Sequence, residues 1–137
     1  MTDRELVQAA WSMLERAYVP YSGFPVGAAL LCADGSVFTG CNVENAAYGS
    51  TICAERAALL KAVSEGHRDD WQTMAIVGRG ADYCWPCGAC RQMLYEFAPD
   101  LKLLVARGDG DFVTTTLGEL LPYAFGPKSL KQPQEKC

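Results

Sequence analysis

Two short cysteine motifs set the terms on which this chain folds. Cys53-Ala54-Glu55-Arg56 and Pro86-Cys87-Gly88-Ala89-Cys90 together hold three thiols and a carboxylate two residues after the first thiol. If both serve one centre, the fold must bring two distant segments within reach of a single ion. Thiolates bind Zn²⁺ at about 2.3 Å, and a catalytic zinc keeps three protein ligands and leaves the fourth position to water. Cys87 and Cys90 are spaced to share one face of a helix within one turn. Pro86 suits the first position of that helix, where its missing N–H loses no bond. Two helix N-termini then point at the metal. Their positive ends, with Arg56, offset the negative charge that three thiolates leave on one Zn²⁺.

Two other readings of the thiols stay open at this point. Cys84-Trp85-Pro86-Cys87 has the spacing of a thioredoxin-type redox pair. Cys53, Cys84, Cys87 and Cys90 would close a four-cysteine structural zinc and make the chain a stapled binding module. Against the first stand Cys90 in register and Cys53-Ala54-Glu55 upstream; against the second, Asn42, Glu44 and Glu55 would have no task. Seven cysteines is an odd number, and in a reducing compartment clustered thiols fit metal binding better than disulfides.

With 137 residues, half of them hydrophobic, the expectation is one domain with a filled core over residues 1–126. A net charge of −4 leaves no basic stripe for a phosphate backbone, so a small molecule fits better than a nucleic acid. No charged-then-apolar leader and no long apolar run occurs, so a cytoplasmic protein without a membrane span is expected.

In chain order, Thr2-Asp3-Arg4-Glu5 reads as a capping box, and Leu6, Ala9, Ala10, Met13, Leu14 and Ala17 extend a helix that carries no chemistry. Tyr18 to Pro25 is an aromatic-rich loop able to wall a pocket. Val26 to Cys32 and Val37 to Asn42 form a hairpin turned at Asp34-Gly35. Asn42 and Glu44 lie two apart on extended chain and face one side. A helix over Ile52 to Glu65 is apolar nearly all round, hence buried, and His67 beyond it reads as a surface histidine. Thr73 to Gly78 and Leu101 to Ala106 are strands on either side of a helix from Cys87 to Phe97. Gly78-Arg79-Gly80 lacks the third glycine of a dinucleotide fingerprint. Phe112 to Thr114 is an edge strand, Thr116 caps a short helix ending at Pro122, and residues 127–137 form a flexible tail whose Cys137 is no ligand. Alternating strands and helices give an α/β layer fold.

Cys53-Ala54-Glu55, followed by Pro86-Cys87-Gly88-Ala89-Cys90-Arg91-Gln92, resembles the zinc-dependent nucleoside deaminases. Val26-Gly27-Ala28-Ala29-Leu30, Gly40-Cys41-Asn42-Val43-Glu44-Asn45 and Glu119-Leu120-Leu121-Pro122 resemble, in that order, the small cytidine deaminases, a likeness running from about Tyr18 to Phe125. The resemblance implies a three-layer α/β/α fold with a five-stranded mixed sheet, assembled as a homotetramer with active sites shared between subunits. It implies one Zn²⁺ per chain on Cys53, Cys87 and Cys90. The implied reaction is hydrolysis of cytidine and 2′-deoxycytidine to uridine and 2′-deoxyuridine with release of ammonia, in pyrimidine salvage. Zinc-bound hydroxide attacks C4 while Glu55 shuttles the protons.

By the same resemblance Phe24 contacts the pyrimidine, and Asn42 and Glu44 hold ribose hydroxyls. Tyr48 and Phe125 act across the subunit interface. The N–H of Ala54 is expected to hold the base, and Arg56 to donate to the cysteine sulfurs. A scaffold of this kind acting on a cytosine-containing antibiotic, like blasticidin S deaminase, is the runner-up, and Asn42-Val43-Glu44-Asn45 argues for ribose instead. The departure from the family is Trp85, where a small serine is common, and it bears on which bases enter.

Overall fold

Two near-continuous apolar runs build the centre of the sheet. β1 (Val26–Cys32) and β3 (Trp71–Gly78) are buried along almost their whole length, as strands covered on both faces must be. In the computed structural model, which describes residues 1–130, they pair antiparallel in the middle of a five-stranded sheet of order β2-β1-β3-β4-β5. β2 (Val37–Cys41) and β5 (Phe112–Thr116) form the edges, and β4 (Lys102–Ala106) runs parallel to β3. Parallel neighbours need a crossover, and that crossover carries α3 (Gly88–Phe97) with the second cysteine motif.

Side chains alternate between two cores. On one face Ala29, Ala75, Val77 and Leu104 pack against Leu6, Val7 and Ala10 of α1 (Asp3–Trp11). On the other Ala28, Leu30, Met74, Ile76 and Leu103 pack against Ala58, Leu59 and Ala62 of α2 (Ala54–Ser64) and Leu94 of α3. The result is the three-layer α/β/α arrangement with a five-stranded mixed sheet. Two glycines set how close the outer layers come. A Cβ at Gly27 would run into the Ala10 carbonyl oxygen, and one at Gly40 into the Ala54 carbonyl oxygen at the start of α2. The first turn of α2 is thus seated directly on β2. At the hairpin, Gly35 takes φ +92° and Asp34 Oδ1 accepts from the Ser36 N–H at 2.9 Å.

Helix ends differ from the sequence expectation, each for a local reason. α1 has the expected capping box at Thr2 but stops at Trp11 instead of running to Ala17. The Ser12 hydroxyl donates back to the Ala9 carbonyl at 2.7 Å, and a single 3₁₀ turn over Leu14–Arg16 buries Leu14. α2 begins at Ala54, not Ile52, because Ile52 and Val43 exchange backbone bonds of 3.0 and 2.9 Å. α3 begins at Gly88 with Cys87 as its N-cap, which leaves Pro86 outside the helix. α2 is not buried all round, since Leu60 is 49% exposed.

Thr116 caps α4 (Leu117–Leu120), again with a capping box. Of the expected tail, residues 127–130 form a helical turn, α5 (Pro127–Leu130), while residues 131–137 with Cys137 lie outside the described residues. Among the described residues no helix is long and apolar enough to cross a membrane.

Candidate active site

Cys53 and Cys87 each occupy the N-cap of a helix, in extended backbone, and neither spends its side chain on capping. Their sulfurs lie 3.9 Å apart, and the Sγ atoms of Cys53, Cys87 and Cys90 all fall within 4.8 Å of one another. Cys90, one turn into α3, is buried, Cys53 is partly buried and Cys87 is exposed. The group is therefore closed from behind and open towards solvent. Two positive helix ends meet there, as thiolates require.

Arg56 Nη2 donates to Cys53 Sγ at 3.3 Å and to the Thr51 carbonyl at 3.4 Å. A hydrogen bond from the Cys90 thiol, followed by the Arg56 guanidinium, draws Cys53 down to about 5, while Cys90, which keeps the shared proton, is raised. Glu55 is 4% exposed in the first turn of α2 and stands outside the ligand group. Burial, reinforced by the Cys53 charge, pushes its carboxyl up to about 7. That value suits a group that must both take and give a proton near neutral pH. Three soft donors, one poised to ionise and backed by a guanidinium, fit a thiophilic divalent ion of zinc type.

Cys84 does not join them. Its Sγ lies where a Cβ on Gly78 would approach to 2.9 Å, and burial, then the nearby Glu55 and Cys53 charges, pushes its thiol up to about 12. The closed four-cysteine reading loses its fourth ligand. The redox-pair reading loses its second thiol as well, because Cys87 Sγ stands 3.9 Å from Cys53 Sγ and groups with Cys53 and Cys90, not with Cys84.

The cleft before the thiols measures about 220 Å³ and is walled by Phe24, Asn42, Ala54, Glu55 and Trp85. Asn42 fastens its aromatic wall: Oδ1 accepts from the Val26 N–H at 2.9 Å and Nδ2 donates to the Phe24 carbonyl at 2.9 Å. Glu44 faces a neighbouring depression of about 290 Å³ with Tyr21, Asn45 and Tyr48, and Thr51 lines both. The Glu44 carboxylate accepts from the Tyr21 and Ser22 N–H groups at 2.9 and 3.1 Å and from the Ser22 hydroxyl. That hydroxyl, more than the N–H groups, holds Glu44 below its ordinary range.

Tyr48 and Phe125 are not brought to the cleft within one chain. Tyr48 is 73% exposed with its ring 5.7 Å from Tyr21, and Phe125 is 59% exposed beside Gln92, whose Nε2 donates to the Phe125 carbonyl. Sequence reasoning passed over Arg91 and Thr51. Arg91 Nε donates to the Pro86 carbonyl and Nη1 to the Leu120 carbonyl, both at 2.8 Å, so it anchors the turn that presents Cys87. Its position one residue after Cys90 was the available signal.

A mixed sheet that seats two helix N-termini around three thiols, with a buried carboxyl beside them, fits the class of metal-dependent hydrolases. Residues 1–105 match the cytidine and deoxycytidylate deaminase zinc-binding region, and the chain belongs to that zinc-binding family. It is 52% identical over 125 residues to the cytidine deaminase of Halalkalibacterium halodurans, covering 90% of this chain and 94% of that one. With the cytidine deaminase of Sporosarcina psychrophila it shares 44% identity over 137 residues, 99% of this chain and 100% of the other. The 1.6 Å crystal structure of cytidine deaminase from Burkholderia pseudomallei superposes with a TM-score of 0.88 at 48% identity, covering 91% of this chain and all of that one.

Proposed function

We infer that this protein hydrolyses cytidine, and 2′-deoxycytidine, to the corresponding uridine with release of ammonia, as a pyrimidine-salvage enzyme of the cytoplasm. The observation that carries the reading is the buried Glu55 carboxyl beside three convergent thiols, in a chain of this family. Cys53, Cys87 and Cys90 would hold a Zn²⁺, which when bound would supply a Lewis acid that lowers the pKa of a water.

Glu55 takes a proton from the attacking water and delivers it to the ring nitrogen N3, then carries the proton of the new C4 hydroxyl to the amino group, which departs as ammonia and leaves the C4 carbonyl of uridine. Arg56 keeps Cys53 ionised, and the Ala54 N–H at the start of α2 donates to the base. Phe24 contacts the pyrimidine face. Asn42 Oδ1 keeps a second lone pair, and Glu44 further acceptor sites, for ribose hydroxyls.

The assembly is a homotetramer with shared sites. Tyr48, Phe125 and Leu60 are large apolar or aromatic side chains left in the open by a single chain, and such residues anchor interfaces.

The deciding experiment mixes protein whose three-thiol centre is filled with zinc with cytidine and follows the loss of cytidine absorbance alongside ammonia. Full zinc content with no turnover of either nucleoside would defeat the proposal. Turnover of a cytosine-containing antibiotic in preference to both nucleosides would replace the substrate while keeping the chemistry.

A further inference from the structure

The far end of α2 carries a second cluster. Cys32 closes β1, while His67 and Asp70 lie in the turn that leads from α2 into β3. One ligand atom from each of the three falls within 4.8 Å of the others. His67 Nδ1 stands 2.9 Å from Asp70 Oδ2, and Nε2 stands 3.6 Å from Asp34 Oδ2, so both ring nitrogens face carboxylates. His67 is therefore not the free surface histidine its sequence surroundings suggest. Cys32 is 1% exposed. The other Asp70 carboxylate oxygen, Oδ1, is buried and takes no donor from the described residues, a state that costs free energy unless a cation or proton donor meets it.

The backbone holds these groups in place. The Ala33 N–H donates to the Asp70 carbonyl at 2.8 Å, the His67 N–H to the Ala62 carbonyl at 2.9 Å, and Trp71 Nε1 to the His67 carbonyl at 2.8 Å. The Phe38 ring, 5.2 Å from the imidazole, covers its other side. Ligands fixed from behind in this way are what a metal site needs in order to bind without reorganising.

We propose that Cys32, His67 and Asp70 form a second, non-catalytic site for a thiophilic divalent cation of zinc type, which clamps the C-terminal end of α2 to the β1–β3 pair. One thiolate, one neutral imidazole and one carboxylate are donors that zinc takes, and the two anionic groups neutralise its double positive charge. Asp34 at the mouth adds a further negative charge facing the imidazole. The ion enters as the Cys32 thiol proton and any proton that His67 shares with Asp70 leave to solvent. The seven residues of β1 separate this cluster from the cleft at Val26 by about 20 Å at roughly 3.4 Å per residue, so one ion cannot serve both. α2 then spans two metal centres, with Cys53 at its N-cap and His67 just past its last turn.

The test counts metal on the full-length protein, stripped by chelator under reducing conditions and re-equilibrated with buffered low-micromolar Zn²⁺. Two zinc ions per chain are expected for the wild type. Either His67→Gln or Cys32→Ala should lower this to one, with cytidine turnover kept within about twofold. Zinc beyond the first equivalent should raise the thermal midpoint of the wild type and leave that of His67→Gln unmoved. Asp70→Asn provides a third route to the same loss should Cys32→Ala disturb the core. A wild type that binds a single zinc, or variants that still bind two, would overturn the proposal and reduce the cluster to an ion pair beside a buried thiol.

Discussion

Glu55 has a carboxyl that is buried beside the thiols yet outside the ligand group, and this separates metal binding from proton transfer. Glu55→Gln should keep close to one zinc on the three thiols and lose at least about 10² to 10⁴ in rate, since both proton steps run through it. Metal analysis with single-turnover kinetics checks this, and joint loss of zinc and activity would make Glu55 a ligand. Cys84→Ser should leave both zinc on that centre and turnover largely intact, because Cys84 packs at Gly78 away from the three sulfurs; stripping of that metal would restore it as a ligand. Glu44 gives a pH signature. Its folded pKa lies below the ordinary 4.5, so its stabilising bonds to Tyr21 and Ser22 are in full force above that value and fade as pH falls through the lower one. The gap in denaturant midpoint between wild type and Glu44→Gln should therefore hold steady from pH 7 down to 4.5 and close as pH falls further through the lowered folded pKa, and a gap that stays constant well below 4.5 would show that the ionised form contributes nothing.

At the scale of elements, the strands and the capped starts of α1 and α4 were legible, and the start of α2 was not. β1, β3 and β4 are apolar runs whose burial on both faces needs no more than their composition, and the capping boxes at Thr2 and Thr116 are local events that sequence alone specifies. The start of α2 is decided by Val43, brought back to Ile52 from the preceding segment. His67 was misread for the same reason, because Asp34 reaches it only once the hairpin has formed. Within the site, the three thiols and Glu55 were legible through the motif resemblance, since spacing alone left a redox pair and a four-cysteine centre open, while the tether from Arg91 to Leu120 joins segments no local pattern connects. Gly40 shows how narrow the seating of α2 is. In Gly40→Ala the new Cβ meets the Ala54 carbonyl oxygen, the Ala58 nitrogen at 2.6 Å and the Ala57 Cβ at 2.9 Å. Rigid helix backbone cannot yield cheaply, so a loss of about 1–3 kcal/mol is expected, with weaker zinc retention as Cys53 shifts. Gly118→Ala, whose Cβ meets only the Pro99 carbonyl oxygen at 3.8 Å, serves as the control. Equal chemical-denaturation curves for the two variants would contradict this account.

For the whole molecule, the proposed sharing of the site between subunits makes the last prediction. Phe125→Ala should raise KM without removing zinc, as stacking a base on an aromatic ring is worth about 1–3 kcal/mol. Exchanging subunits between this variant and Glu55→Gln should recover some tight-binding, active sites, since an intact Phe125 then meets an intact Glu55 from another chain. If fully exchanged mixtures recover nothing, each pocket is built within one chain. The single parallel pair of the sheet also governs the order in which the protein comes into being on the ribosome. β2, β1 and β3 can close as an antiparallel unit as soon as Gly78 has emerged, whereas Cys87 and Cys90 arrive later on the crossover to β4. At about 5–20 residues per second, Cys53 waits a few seconds for its partners. A nascent chain halted before Cys87 already holds Cys32, His67 and Asp70 yet only one thiol of the catalytic set, so the two centres mature in sequence and the catalytic one comes last.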